Sequence, residues 1–325
     1  MQSFRLIQPD NIDAAITAGS ANTTKFIAGG SDLLQLMKDN VETPAQLIDL
    51  EPLSLSAITA DEKLLRLEAM ARMSDVAAHP DVRKRWPVIS EALLASASPQ
   101  VRNMGTIGGN LLQRTRCGYF RDTGFPCNKR VPGSGCPAIN GENRMLAILG
   151  VSDHCIASHA SDLAVALVAL NASVELRGPN GSRRTVPIGE FHRLPGDTPH
   201  LEANLAPDEI IAAVTVPATA AAQRSHYLKV RDRTSFEFAL VSAAVAIEIG
   251  DGVVRDIGIA AGGVGTKPWR LPEVEAALNG KPVSEQTLRQ AATQAGQDAQ
   301  PQRQNAFKVE LLRRTVFRAL QTATA

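Results

Sequence analysis

The sequence predicts a protein of mixed helices and strands, class α+β, with two domains. Its 325 residues are more than one hydrophobic core usually accommodates. Strand-like and helical runs alternate up to residue 216, and the alanine-rich stretch 217–224 follows neither pattern. Beyond it, three strand-like runs precede several helical ones. We therefore expect one domain at 1–217 and a smaller one at 224–325.

Composition and charge exclude several classes of protein. Hydrophobic residues make up 44% of the chain and charged residues 21%, as is typical of a folded globular protein. The formal net charge is only +1, and no dense basic run is present, so nucleic acid is not an expected partner. The N-terminus lacks the apolar stretch of a signal peptide. No apolar run approaches the ~20 residues that span a bilayer, so membrane insertion is not expected.

In the first domain, short apolar runs bounded by turn residues define the elements. Lys25 to Ala28 is typical of a strand, residues 29–32 of a tight glycine turn and Leu33 to Met37 of a helix. A strand at 64–69 opens a second subdomain, which divides this domain near residue 58. The other predicted elements are strands at 46–50, 173–176 and 210–216 and helices at 74–78, 86–97 and 161–170.

The second domain shows a simpler pattern. Strands are predicted at 227–231, 240–249 and 253–260, with a hairpin turn at Gly250-Asp251-Gly252. Helices are predicted at 271–278, 284–296 and 306–320.

Two stretches of the sequence show neither a helical nor a strand pattern. Residues 104–110 are too rich in glycine for a helix or strand and are predicted to form a binding loop. Between Gln113 and Ile139, prolines and glycines interrupt every candidate element. A structureless stretch of that length within a domain usually has a functional reason.

The two glycine-rich loops suit an extended ligand that contains a diphosphate. Glycines allow close approach of the backbone, and amides at a helix start attract phosphate. The turn at 28–32 has neither the Rossmann glycine spacing nor the P-loop lysine, so an ordinary turn capped by Ser31 or Asp32 is the alternative. For the loop that contains Thr106, Gly109 and Asn110, the alternative is a turn in which Asn110 bonds its own backbone.

The four cysteines of the chain all fall in one short segment, with the spacing C-x9-C-x8-C-x18-C. They are Cys117, Cys127, Cys136 and Cys155. Four thiolates complete an all-cysteine site for a 4Fe-4S cluster, and the cations of this segment would offset its negative charge. Those cations are Arg114, Arg116, Arg121, Lys129 and Arg130. The alternatives are a zinc site and four unrelated buried thiols.

Several segments together resemble the FAD-binding subunit of the xanthine dehydrogenase and molybdenum hydroxylase family. They occur in the family's order and span nearly the whole chain: 26–34, 98–103 running into 106–110, 159–162, 227–231, and 262–264 before 268–270. Within the family, the cysteine segment is similar to those of the flavin subunits of periplasmic aldehyde oxidoreductases and of 4-hydroxybenzoyl-CoA reductase. Both carry an extra 4Fe-4S cluster, and residues 111–136 look closer to the aldehyde oxidoreductase.

The resemblance implies a two-part FAD-binding domain of the vanillyl-alcohol-oxidase type and a small C-terminal domain of antiparallel strands and helices. It assigns FAD contacts to Phe26, Ile27, Ala28, Gly29, Gly30, Ser31, Asp32, Leu33, Thr106, Gly109, Asn110, Asp162, Ile210 and Lys229. The diphosphate is expected on the amides of 28–33, and Lys229 near the polar edge of the flavin. The chain departs from the family's pattern at two positions: Ala160 stands where proline is frequent, and Glu68 where glycine is frequent.

The function implied by the resemblance is electron transfer, without a catalytic side chain of this chain's own. A large partner subunit would oxidise an aldehyde at a molybdenum cofactor, a small one would relay electrons through two 2Fe-2S clusters, and this chain's FAD would pass them to an external acceptor. A signal-bearing partner would carry the complex to the periplasm; otherwise it stays cytoplasmic. Alternatives are a 4-hydroxybenzoyl-CoA reductase-like or xanthine dehydrogenase-like complex, a self-sufficient flavin reductase and a zinc-stabilised binding module.

Overall fold

Three separate β-sheets organise the chain in a computed structural model that describes residues 1–21 and 23–325. The strands are β1 (Arg5–Ile7), β2 (Thr24–Ile27), β3 (Gln46–Asp49), β4 (Ile58–Ala60), β5 (Leu64–Glu68), β6 (Ser173–Arg177), β7 (Arg183–Pro187), β8 (Ile210–Pro217), β9 (Ser225–Val230), β10 (Val241–Gly250), β11 (Val253–Gly262) and β12 (Trp269–Arg270). This mixture of sheets and helices confirms the predicted α+β class.

Fourteen α-helices are found in the described residues. They are α1 (Ile12–Gly19), α2 (Leu33–Lys38), α3 (Met73–Ala78), α4 (Pro80–Arg85), α5 (Pro87–Ala95), α6 (Pro99–Met104), α7 (Ile107–Leu111), α8 (Gly118–Arg121), α9 (Asp162–Ala169), α10 (Ile188–Phe191), α11 (Ala220–Gln223), α12 (Pro272–Leu278), α13 (Glu285–Ala292) and α14 (Phe307–Thr324). Short 3-10 turns lie at Glu51–Leu53, Pro137–Ile139 and Pro179–Gly181. Within the described part of the chain, no helix has the length and apolar character needed to cross a membrane.

The sheets differ in direction and in position along the chain. The first is parallel, in the order β1-β3-β2, and it presents the end of β2 to the turn that leads into α2. The second is antiparallel, in the order β4-β5-β8-β6-β7. The third is the antiparallel C-terminal sheet, in the order β12-β11-β10-β9. The second sheet is built from strands between residues 58 and 217, and the third from strands between residues 225 and 270.

Helix α9 lies where the second and third sheets approach each other. All eight of its residues are buried, because it packs against α5 on one side and against β10 and β11 on the other. A helix that is apolar all round belongs inside the protein. Asp162 is its first residue, so this carboxyl group lies at the junction of the two domains. Helices α12 and α14 pack on the third sheet, α13 packs against both of these helices, and buried residues of all three belong to one core with the sheet.

Three local predictions were wrong. Residues 107–111 form α7 because the Thr106 hydroxyl accepts a hydrogen bond from the Gly109 amide at 3.2 Å and caps the turn. Residues 220–223 form α11, since Thr219 caps an alanine run that favours helix. Within 113–139, α8 and the 3-10 turn Pro137–Ile139 interrupt an otherwise irregular path.

Candidate functional site

The first part of the candidate site is the turn between β2 and α2. Gly30 has a φ of +67°, which favours glycine. A Cβ atom on Gly29 would lie 1.8 Å from the Met104 carbonyl oxygen, so the turn packs directly on the second glycine-rich segment. Within the described residues, no backbone amide from Ala28 to Leu33 donates a hydrogen bond. Six consecutive unpartnered amides make this turn suited to an anion.

The second part is helix α7 with its Thr106 cap. Gly108 is buried against Ala69, where a Cβ atom would lie 3.0 Å from the alanine Cβ, whereas Gly109 is exposed. The Asn110 Oδ1 atom accepts a hydrogen bond from the Ser161 hydroxyl at 2.5 Å. Asn110 therefore bonds across to the start of α9 and does not close a turn on its own backbone.

A cavity that opens to solvent lies beside these segments, and its volume is about 470 Å³ when the open solvent at its mouth is counted. Its walls come from both domains: 158–162 and Val165 of the first, and 238–239, Ser242 and 262–263 of the second. The rest of the lining is Arg116, Met145 and Leu146. A cleft at a domain junction with few polar groups is a common place for a cofactor.

Asp162 sits in the wall of this cavity and is held by three donors. Its carboxylate accepts hydrogen bonds from the Tyr227 hydroxyl at 2.5 Å, the Lys229 ammonium at 2.8 Å and the Ser96 hydroxyl at 2.9 Å. The Asp162 and Lys229 side chains are only 7% and 4% exposed. Burial and the neighbouring carboxylate raise the pKa of Tyr227 well above its usual value, so the phenol remains a donor. The structure thus brings Asp162 and Lys229 together as one ion pair.

The other expected contacts lie in different surroundings. Phe26 and Ile27 belong to β2, and Leu33 begins α2. Ile210 is buried in β8, paired with Arg177, and is not among the residues that line the cavity. Asp32 turns its side chain away from the unpartnered amides, toward the cysteine segment, where it binds Arg116 and Arg121.

The four cysteines converge on a second, smaller pocket, whose volume reaches about 300 Å³ only when the open solvent at its mouth is counted. All four thiols line it, Cys117 and Cys155 are buried, and none is in a disulfide. Desolvation raises the pKa of Cys117 to about 11 and also raises the pKa values of Cys136 and Cys155. Within residues 1–21 and 23–325, no three His, Cys, Asp or Glu side chains are arranged to hold one metal ion. The thiols therefore surround a space without closing on a single ion.

The five cations around the cysteines are offset only in part, because three acids from distant parts of the chain reach this segment. Arg114 pairs with Glu42 and Glu202, Lys129 with Glu202 at 2.6 Å, and Arg116 and Arg121 with Asp32. Arg130 donates instead to the carbonyl oxygens of 119, 120 and 125. Local sequence around the cysteines contains no sign of these partners.

Sequence reasoning also missed a pair of histidines beside the cavity, of which His192 is buried and His159 partly buried. The rings of His159 and His192 lie edge to face, with centroids 4.3 Å apart, and His159 lines the cavity. His192 Nε2 donates to the Leu111 carbonyl at 3.0 Å, and His159 Nδ1 accepts from the Ser161 amide at 3.3 Å. Desolvation lowers the pKa of His192 to about 4 and that of His159 well below 6.5. No spacing in the sequence relates these two residues.

Known protein families match nearly the whole chain. Residues 2–219 match the family described as FAD binding domain in molybdopterin dehydrogenase, and residues 226–323 match the CO dehydrogenase flavoprotein C-terminal domain. The aldehyde oxidoreductase FAD-binding subunit PaoB of Escherichia coli is 47% identical over 96% of this chain and 95% of its own. The carbon monoxide dehydrogenase medium chain of Hydrogenophaga pseudoflava is 28% identical over 96% and 93%.

Solved structures show the same fold. Carbon monoxide dehydrogenase from Hydrogenophaga pseudoflava superposes with a TM-score of 0.77 at 27% identity, over 99% of this chain and 98% of that one. Quinoline 2-oxidoreductase from Pseudomonas putida gives a TM-score of 0.76 at 20% identity, which speaks for the fold alone. The glycine-rich turns, the interdomain cavity and these matches lead to one conclusion: the chain belongs to the FAD-binding medium subunits of the molybdenum hydroxylase family of oxidoreductases.

Proposed function

We propose that this chain is the FAD-binding electron-transfer subunit of a molybdenum-dependent aldehyde oxidoreductase. The observation that carries the proposal is the row of unpartnered amides at 28–33, which lies against the α6–α7 segment near a two-domain cavity. The 47% identity to an aldehyde oxidoreductase subunit supports the choice of substrate class. No catalytic side chain is needed for aldehyde oxidation in this chain.

In this proposal the amides of 28–33 hold the FAD diphosphate, because they are free donors that glycine leaves accessible. Gly109 is exposed on α7 and gives a second close approach, while Thr106 and Asn110 fix that helix and the start of α9. When bound, FAD supplies the redox chemistry, which is the cofactor's own.

The cavity wall offers polar and apolar contacts for the flavin end. Lys229 is positioned by Asp162 and by the Ala95 carbonyl oxygen at 3.1 Å, so its ammonium has a fixed place near the cavity. Asp162 keeps that cation paired and buried. Ile210 stays a proposed apolar contact, although it is buried in β8 and does not line the cavity.

The four converging thiols fit a 4Fe-4S cluster, which we propose as an additional cofactor of this chain. A cluster takes four thiolates spread around an inorganic core, whereas zinc draws them onto one ion. The convergence of all four thiols on one pocket is the observation that supports the cluster. Its role would be to order the segment 113–139, which has few apolar residues of its own.

The proposal implies partners. A chain with FAD and without a site for aldehyde oxidation needs a large subunit with a molybdenum cofactor and a small subunit with two 2Fe-2S clusters. Electrons would arrive through the small subunit and leave to an external acceptor.

Purification of the protein with its partners tests this proposal. We expect one FAD per copy of this chain, together with two further chains, one that contains molybdenum and one that contains 2Fe-2S clusters. This chain expressed alone should retain FAD but oxidise no aldehyde. Full aldehyde oxidation by the isolated chain, or purified complex without FAD, would contradict the proposal.

A further inference from the structure

Asp32 connects the turn at 28–33 to the cysteine segment through three hydrogen bonds. Its Oδ2 atom accepts from the Arg114 amide at 2.8 Å, and its Oδ1 atom accepts from Arg121 Nη2 at 2.7 Å and from Arg116 Nη1. The Asp32 side chain is only 14% exposed and the two guanidinium groups 25% or less. Partly buried charge pairs of this kind are screened less by solvent than surface pairs.

The two arginines belong to the part of the segment that leads into and out of Cys117. Arg116 directly precedes this cysteine, and Arg121 ends the short helix α8 that follows it. Arg121 Nε also donates to the Thr115 carbonyl at 2.9 Å, which fixes its guanidinium. Arg116 continues into the interdomain cavity, where it lies 4.8 Å from the centre of the Phe238 ring. One carboxylate thus joins the turn, the cysteine segment and the cavity wall.

The charge of Asp32 poses a problem for an anionic ligand at the turn. The Asp32 amide is one of the six unpartnered donors, so its carboxylate would repel a diphosphate held there. Two guanidinium groups on one carboxylate leave a net positive charge at this point. Arg114 cannot contribute in the same way, because its own side chain is engaged by Glu42 and Glu202.

We propose that the cysteine segment forms part of the FAD site. Arg116 and Arg121 neutralise the charge of the Asp32 carboxylate and hold its side chain in place, so that the turn accepts the diphosphate. Asp32 is then a positioning residue and not a direct ligand through its side chain. The inference rests on the proposed binding of the FAD diphosphate at 28–33. Since linkage is reciprocal, bound FAD also stabilises the segment around Cys117.

A double-mutant cycle on the full chain tests the inference. FAD affinity is measured by titration of apoprotein for wild type, Arg121→Met, Asp32→Asn and the double variant. We expect Arg121→Met to weaken FAD binding at least tenfold when Asp32 is charged, and less than twofold in the Asp32→Asn background. Arg184→Met, which removes a guanidinium from the ion pair with Glu209 in the second sheet, serves as the control and should leave FAD affinity unchanged.

An equal loss from Arg121→Met in both backgrounds would mean general damage to the segment and would overturn the inference. FAD loss in Asp32→Asn with no effect of Arg121→Met would make Asp32 a direct ligand and overturn it as well. A wild-type chain that binds no FAD would contradict the proposed function itself, which separates the two failures.

Hydrogen exchange on wild-type protein covers the case in which a variant does not fold. Added FAD should slow exchange of the α8 amides, which lie at the far end of the Asp32–Arg121 pair. Unchanged exchange in α8, with slower exchange at 28–33, would overturn the inference.

Discussion

At the scale of single residues, Gly30 is the most exacting position in the turn at 28–33. Its φ of +67° disfavours any residue with a Cβ atom, and that atom would lie 2.9 Å from Leu34 Cδ1. We predict that Gly30→Val yields folded protein without FAD, because a branched side chain distorts the row of amides that holds the diphosphate. FAD released by denaturation of the purified variant, counted against protein, measures the effect.

Gly280→Val is the matched control for this change. Gly280 has a φ of +73° and open space around it, so the substitution carries similar backbone strain, about 1–2 kcal/mol, far from the turn. Gly280→Val should lose stability and keep its FAD. Stoichiometric FAD in Gly30→Val would show that the turn does not hold the diphosphate.

The paired histidines His159 and His192 predict a dependence of stability on pH. The pKa of His192 is about 4 and that of His159 is well below 6.5, so the unfolded chain binds more protons than the folded one as the pH falls below 6.5. The free energy of unfolding should therefore decrease from pH 6.5 toward pH 4, by up to about 1.4 kcal/mol per pH unit for each histidine. Denaturant unfolding at several pH values measures this slope.

His192→Gln should remove the contribution of His192 to this slope, because glutamine carries no titrating proton. Glutamine can still donate a hydrogen bond to the Leu111 carbonyl oxygen. His200→Gln, at an exposed position, is the control and should leave the slope as in wild type. A slope that His192→Gln does not change would rule out a buried neutral imidazole at this position.

At the scale of elements, we attribute the ordered conformation of the cysteine segment to the proposed 4Fe-4S cluster. Replacement of Cys117 by serine should remove iron and acid-labile sulfide and make 113–139 sensitive to proteolysis, because metal ligation supplies ordering free energy that the irregular chain lacks. Given the Asp32 link, FAD affinity should also fall. Iron and sulfide analysis together with low-temperature electron paramagnetic resonance measures the cluster.

Ser134→Ala, in the same segment but outside the thiol set, is the control; it removes only the hydrogen bond from the Cys127 amide to the Ser134 hydroxyl. It should keep full iron content. Cys117→Ser protein with an unchanged cluster signal would remove Cys117 from the ligand set, and wild-type protein with zinc and no iron would overturn the cluster.

Elements with a strong local signal were predictable from sequence, and those that depend on distant partners were not. The β2–turn–α2 unit follows from an apolar run, two glycines and a helical pattern, and the structure confirms it. Helix α7 depends on the Thr106 cap and on close packing of Gly108 against Ala69. The glycine-rich sequence of this segment indicates neither of these contacts. The acids that pair with the cations of the cysteine segment lie about 70 to 90 residues away in sequence, so the local sequence does not show this partial neutralisation.

At the scale of the whole molecule, the cavity wall requires both domains. Asp162 opens α9 in the first domain, and its partners Tyr227 and Lys229 belong to β9 of the second. The ion pair is 4–7% exposed, so removing one partner leaves an unpaired buried charge. We predict that Lys229→Met lowers the free energy of unfolding by about 3–5 kcal/mol, measured by denaturant unfolding.

Two further variants complete this experiment. One is the conservative Lys229→Arg, and the other is the double variant that combines Asp162→Asn with Lys229→Met. The double variant should recover much of the stability that the single change loses, because no unpaired charge remains. A Lys229→Met chain as stable as wild type would show that the pair does not hold the two domains together.

The most direct measurement of the central claim is the flavin absorbance of the purified complex after anaerobic mixing with an aldehyde. If this chain transfers electrons through FAD, the flavin absorbance should bleach within the time of one turnover and return when an electron acceptor is added. The isolated chain, loaded with FAD, should show no bleaching with aldehyde. Turnover of aldehyde by the complex while its flavin stays oxidised under anaerobic conditions would contradict the account.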